Sequence, residues 1–163
     1  MSRRLAPVLA ALLLVACPGF ASAQERLTRL TRLTPPEIEG LVQGGATAGT
    51  SGVAGIRTTI LYGDPTKAGP YTIALRAPPN VRIAAHSHRD DRTAVVVAGL
   101  WRFGYGRRAD ESLVKILPPG SFYSEPAGVE HFAMTGPEGA MVYISGRGPT
   151  STDYVEAADA PKR

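Results

Sequence analysis

Cysteine is almost absent from this chain: Cys17 is the only one among 163 residues. It lies in an apolar stretch near the start, so everything after it lacks a disulfide, a thiolate ligand and a cysteine nucleophile. Long apolar runs are missing as well. The stretch Leu5 to Ala16 falls short of the roughly 20 residues that span a bilayer. Neither charge sign dominates. With Arg3 and Arg4 set aside, 16 basic residues face 14 acidic ones, and the basic residues are scattered. The pair Arg107-Arg108 falls in an expected hairpin loop before Asp110-Glu111. This distribution argues against a nucleic-acid surface. No Gly-x-Ser-x-Gly elbow is present, which speaks against a serine hydrolase of that type. Helical periodicity is nearly absent too.

The first 23 residues have the layout of an export signal. Arg3 and Arg4 supply the charged region, Leu5 to Ala16 the apolar region, and Ala21-Ser22-Ala23 a cleavage site before Gln24. Alternatively, Leu14-Val15-Ala16-Cys17 resembles a bacterial lipobox, which would anchor the protein through an acylated Cys17. Either reading places the protein outside the cytoplasm, in the periplasm or secreted.

From Gln24 to Gly55 the chain reads as an arm. Its Leu-Thr-Arg repeat spaces leucines at i, i+3, a pattern that fits one helical stripe but is weakened by the threonines. Thr34-Pro35-Pro36-Glu37 then combines an N-cap, proline at the first helical position and an acid three residues after the cap. A short helix through about Gln43 is expected. Gly44-Gly45 ends it, and Gly44 to Gly55 reads as a flexible connection. The arm is expected either to pack on the main domain or on a second subunit, or to stay partly disordered.

Past Gly55 the chain becomes a series of short strands. Runs at Ile56–Tyr62, Tyr71–Leu75, Val81–His88, Thr93–Val97, Leu100–Tyr105, Leu113–Leu117, Ser121–Ser124, Glu130–Thr135 and Ala140–Ser145 are separated by Gly- and Pro-containing turns. Such a series predicts an all-β sandwich or barrel. Trp101, Phe103 and Tyr105 share one face, as core or as pocket lining. The residues after Gly146 read as a loosely attached tail.

Histidine is scarce, and its placement is informative. All three histidines sit in two blocks, His86-Ser87-His88 and, 43 residues on, His131. Side chains alternate along a strand, so His86 and His88 point the same way. They could present two imidazoles to one metal, with His131 as a third from a neighbouring strand. A histidine pair at this spacing is also common as an ordinary surface or core feature.

The two blocks carry a family resemblance. His86-x-His88-x3-Arg92-x6-Gly99 resembles the first cupin motif, and Gly120-x5-Pro126-x-Gly128-x2-His131 resembles the second. The resemblance runs from about Ile56 to Pro149. It implies a single cupin-type jelly-roll barrel, with a divalent metal held by His86, His88 and His131. The expected organisation is then a signal peptide at 1–23, an arm and linker at 24–55, a barrel at 56–150 and a tail at 151–163. Pairing as a homodimer is also implied.

The chain departs from the cupin pattern at two places. Where the first motif has a glutamate ligand stands Arg92, followed by Thr93; where the second often has asparagine stands Thr135. A guanidinium has no lone pair to give a metal. The resemblance therefore implies a three-histidine set, similar to three-histidine cupins that include some dioxygenases. Iron(II) is the first expectation, with zinc, manganese or nickel as alternatives. Glu125, Asp91 and Thr93 are candidates for a fourth ligand or for support of the imidazoles. Asp90 and Asp91 read equally as turn acids paired with Arg89 and Arg92.

Parity assigns further roles. If the His86–His88 strand continues without a bulge, Arg92 faces the site and could clamp a substrate carboxylate. If a turn intervenes, Thr93 takes the inward place and Arg92 pairs with Asp90 or Asp91. Thr135 has the parity of His131 and could hold a water. Tyr123 joins Arg92 and Thr135 as a candidate substrate contact, and no residue stands out as the catalytic acid or base. Two functions fit: a dioxygenase-like oxidoreductase acting on a small organic substrate, or a metal- or ligand-binding cupin without turnover.

Overall fold

A computed structural model describes residues 30–45 and 49–162. The expected signal segment, Cys17 and most of the Leu-Thr-Arg repeat lie outside the described residues. No described helix is long and apolar enough to cross a membrane.

The part of the repeat that is described, 30–34, is not helical, and Leu30 is exposed. The helix after it, α1 (Pro35–Glu39), starts where its cap signal stands and ends early, at Gly40 rather than near Gln43. Both the Thr34 amide and the Thr34 hydroxyl donate to the Glu37 carboxylate, at 2.7 Å each. Those bonds pull the Glu37 carboxyl below its ordinary range. Past the helix, Gly44 exchanges two backbone hydrogen bonds with Thr58, so the arm lies along an edge of the sheet.

Eight strands follow: β1 (Arg57–Gly63), β2 (Gly69–Ala77), β3 (Arg82–Ser87), β4 (Arg92–Tyr105), β5 (Lys115–Leu117), β6 (Phe122–Glu125), β7 (His131–Gly148) and β8 (Asp153–Tyr154). Two pairs of expected strands turn out to be single long ones. Gly99 does not turn the chain between Val97 and Leu100. It sits inside β4 at a φ of 70°, between two register shifts against β7. A Cβ there would lie 2.1 Å from the Gly139 carbonyl oxygen, so only glycine lets the strands approach this closely. Gly139, also at φ 70°, plays the same part within β7.

The expected jelly-roll barrel does not form. Pairing runs β1-β2-β7-β3-β8, with β4 attached to β7 and carrying β5 and β6. The sheet is open because its end strands never meet: β8 is two residues long and pairs only with β3, while β1 pairs with β2 and with the arm. β7 is the spine, bonded to β4 over most of its length, to β2 over its second half and to β3 near its start.

Alternation places Tyr71, Ile73 and Leu75 of β2, Ala94 and Val96 of β4, and Val142 and Ile144 of β7 in one core. Trp101 and Phe103 join it, whereas Tyr105 is half exposed and donates to the Ser124 carbonyl at 2.7 Å. The histidine blocks open onto this core.

Candidate metal centre

His86 and His131 stand directly opposite one another on β3 and β7, and His88 follows β3 by one residue. The three rings meet with centroids 4.5–5.0 Å apart. One ring nitrogen from each lies within 4.8 Å of the others, and all three residues are buried.

Each ring is oriented through its other nitrogen. Nδ1 of His86 faces the Ala84 carbonyl at 2.7 Å, Nδ1 of His88 the Ser151 carbonyl at 2.5 Å, and Nδ1 of His131 the Val129 carbonyl at 3.0 Å. A carbonyl can only accept, so each Nδ1 carries the proton and each Nε2 keeps its lone pair. The Nε2 atoms of His88 and His131 are shut off from solvent and have no hydrogen-bond partner.

Burial, reinforced by the neighbouring His131 ring, pushes the His86 pKa down to about 4. Burial and then the Arg92 charge hold His88 far below its ordinary range. Burial lowers His131 too, against the opposing pull of Glu125. All three rings are therefore neutral at neutral pH, the form that binds metal. Buried lone pairs without partners, converging on one point, fit a divalent cation.

Arg92 faces this centre, although a turn does intervene after His88. Arg92, Ala94 and Val96 are buried while Thr93 and Val95 are exposed, so β4 parity turns Thr93 outward and away from the histidines. Nor does Arg92 pair with Asp90 or Asp91. Its register partner is Glu125 on β6, and Nε and Nη2 both donate to Glu125 Oε2, at 2.6 and 2.5 Å. Its Nη1 donates to the Gly49 carbonyl at 3.2 Å. Burial by itself would raise the Glu125 pKa, but the Arg92 charge beside it holds it below the ordinary range. The carboxylate is thus ionised. Its Oε2 lies 3.5 Å from His88 Nε2 and 3.8 Å from His131 Nε2.

The other candidates are placed elsewhere. Asp91 is exposed and accepts from the Ala127 amide at 2.9 Å, so it pins the β6–β7 turn. Asp90 is buried and accepts from the hydroxyls of Tyr71 (2.9 Å) and Thr150 (2.5 Å), which makes it a packing anchor rather than a solvated turn acid. Thr135 faces inward, yet it donates to the Pro78 carbonyl at 2.7 Å and accepts from the Val81 amide at 2.9 Å. Those bonds tie it to the backbone at Pro78 and Val81. Tyr123 is buried against Phe103, with its hydroxyl shut off from solvent beside Trp101 and Glu125. Burial and the neighbouring Glu125 charge push its pKa well above the ordinary value.

Two segments read as flexible in the sequence close the centre. Gly49, Thr50 and Ser51 are buried, and their carbonyls accept from Arg92, from the Thr152 hydroxyl (2.9 Å) and from the Tyr154 hydroxyl (2.6 Å). The segment after Gly146 is likewise not a loose tail: β8 pairs with β3, and Ser151 orients His88. Small residues in both segments permit this close packing, but nothing in their local pattern announces it. The space left among the histidines, Arg92, Glu125 and Ser51 is a cavity of about 20 Å³, room for an ion or a water.

Among solved structures the chain is similar to the polyketide cyclase RemF from Streptomyces resistomycificus, with 15% identity over 82% of this chain and 90% of that one, and a TM-score of 0.64. It is similar to a sugar phosphate isomerase of the cupin superfamily from Silicibacter pomeroyi (14% identity, 71% of this chain, 78% of that one, TM-score 0.55). A further match is an RmlC-like cupin from Shewanella frigidimarina (16% identity, 67% of this chain, 85% of that one, TM-score 0.52). The fold resembles that of cupins. No family model matches the chain, and no curated protein matches it. Within this cupin-like fold the described residues hold a buried three-histidine cluster able to coordinate a divalent metal.

Proposed function

We propose that this protein is an exported, metal-dependent oxidoreductase, dioxygenase-like in its chemistry, acting on a small organic substrate. The reading rests on one observation: the unpartnered Nε2 atoms of buried His88 and His131, converging with His86. Three neutral imidazoles fit iron(II) as well as zinc, manganese or nickel, and iron(II) is the form that suits oxygen chemistry. A divalent ion held by His86, His88 and His131 would supply Lewis acidity and coordination positions for small molecules. The protein's own part is to orient the rings through the Ala84, Ser151 and Val129 carbonyls and to exclude water with Gly49–Ser51. Export is read from Arg3-Arg4, the apolar stretch after them and Ala21-Ser22-Ala23.

One observation favours a second reading. The cavity of about 20 Å³ suits a protein that binds a metal or a very small ligand without turnover. Elemental analysis of untagged protein tests the metal, and oxygen uptake by iron-loaded protein across a panel of small organic acids, phenols and sugars separates the two readings. His86→Ala, His88→Ala and His131→Ala should each abolish metal binding at neutral pH, whereas Asp90→Ala should not. Stoichiometric metal retained by the three histidine variants would refute the centre. Metal without oxygen uptake on any substrate would favour the binding protein.

A further inference from the structure

The Arg92–Glu125 pair is built in a way that a purely structural ion pair does not require. In the register, Arg92 and Glu125 face each other across β4 and β6. The resemblance assigns the ligand carboxylate to the place where Arg92 stands, but the carboxylate is present, one strand over. Glu125 Oε2 lies 3.5 and 3.8 Å from two ring nitrogens that have no other partner. With bonds of about 2.0–2.2 Å to a metal, donors in tetrahedral or octahedral sets sit roughly 2.8–3.6 Å apart. Oε2 is thus close to donor spacing from both rings. Without a cation the arrangement is unfavourable, because lone pairs of two neutral imidazoles face an ionised carboxylate in a closed cavity. A metal among them satisfies all three.

We propose that Glu125 is the fourth protein ligand of the centre, supplied from β6 and held in place by Arg92. The carboxylate and its holder have exchanged strands relative to the cupin pattern, leaving a set of three histidines and one carboxylate. The two Arg92 N–H groups on Oε2 fix the carboxylate against the histidines, since charge-assisted bonds of this length are strong and directional. The Nη1 bond to the Gly49 carbonyl ties the same guanidinium to the closing segment. Arg92 is a positioning residue here and does not touch the metal. The proposal rests on the three-histidine reading.

The test uses cobalt(II) as the probe on the full mature chain, with affinity measured by chelator competition and coordination by the visible d–d spectrum. Wild type should bind one equivalent. Glu125→Gln should still bind cobalt, with affinity reduced at least about tenfold and an altered d–d spectrum. Arg92→Gln should weaken binding less and keep bands close to wild type. A second measurement needs no variant: infrared difference spectra of wild-type protein with and without metal, using 13C-labelled glutamate, should show carboxylate bands that move with the label. Failure of wild type to bind any metal removes the three-histidine reading itself. Binding by wild type with a Glu125→Gln spectrum superimposable on it, or with no label-sensitive carboxylate band, overturns only the fourth ligand. If Glu125→Gln does not fold, the infrared result decides.

Discussion

Removing the Glu125 charge from metal-free protein should be among the most damaging conservative changes available to this chain. The Arg92 and Glu125 side chains are 3% and 4% exposed and meet at 2.5 Å, so little solvent screens them. Two charge centres about 4 Å apart attract by roughly 4 kcal/mol at an effective dielectric near 20. Breaking a buried pair by deleting one partner costs about 3–5 kcal/mol, because the survivor is left charged in a poor solvent. Glu125→Gln keeps the shape and loses the charge, so it should cost about 3–5 kcal/mol of a total stability on the order of 5–15 kcal/mol. Arg92→Met should cost a similar amount. The double variant should cost clearly less than the two singles summed, by about 2 kcal/mol or more, since neither group then remains unpaired. Urea unfolding in the presence of a chelator measures this, with Trp101, the only tryptophan and a member of the same core, as the fluorescent reporter. A single-variant cost below about 1 kcal/mol, or strict additivity, would refute the argument.

Acid should unfold the metal-free protein early. The pKa of His86 falls from 6.5 to about 4 on folding, so the unfolded chain binds the proton more tightly, and the stability present above pH 6.5 is lost as pH falls towards 4. That shift corresponds to about 3 kcal/mol, with His88 and His131 acting in the same direction. Urea midpoints that stay flat between pH 7 and 5 would contradict it. Thr135→Val should cost about 1–3 kcal/mol, because it strands the Val81 amide and the Pro78 carbonyl. It should leave cobalt affinity unchanged, so a loss of affinity would restore Thr135 to the site. Gly99→Ala should cost at least about 2 kcal/mol, from a disfavoured φ of 70° and a clash with the Gly139 carbonyl. A thermal midpoint equal to wild type would show that the β4 bend tolerates a side chain.

What the sequence by itself determined was whatever a strand's period of two can encode. The short β-rich runs define an all-β chain, and alternation turns Trp101 and Phe103 inward. The same alternation sets His86 and His88 on one side; that His131 joins them is what the cupin resemblance implies, and the β3–β7 register brings it there. Tertiary structure decided the rest, because it depends on which strand lies beside which. Arg92 finds Glu125 across 33 residues through the β4–β6 register, a pairing no local pattern encodes. A turn separates His88 from β4, so whether Arg92 or Thr93 faces inward could be decided only once β4 was paired. Gly99, which reads as a turn, proved to be a bend inside a long strand, since a positive φ serves either purpose and only the partner strand distinguishes them. The same holds for closure. Whether a run of strands ends as a barrel or an open sheet depends on the two end strands meeting, and here the two-residue β8 and the arm-capped β1 do not. Gly49–Ser51 and Ser151 complete the centre through backbone carbonyls, which every residue carries and which no side-chain pattern can reveal.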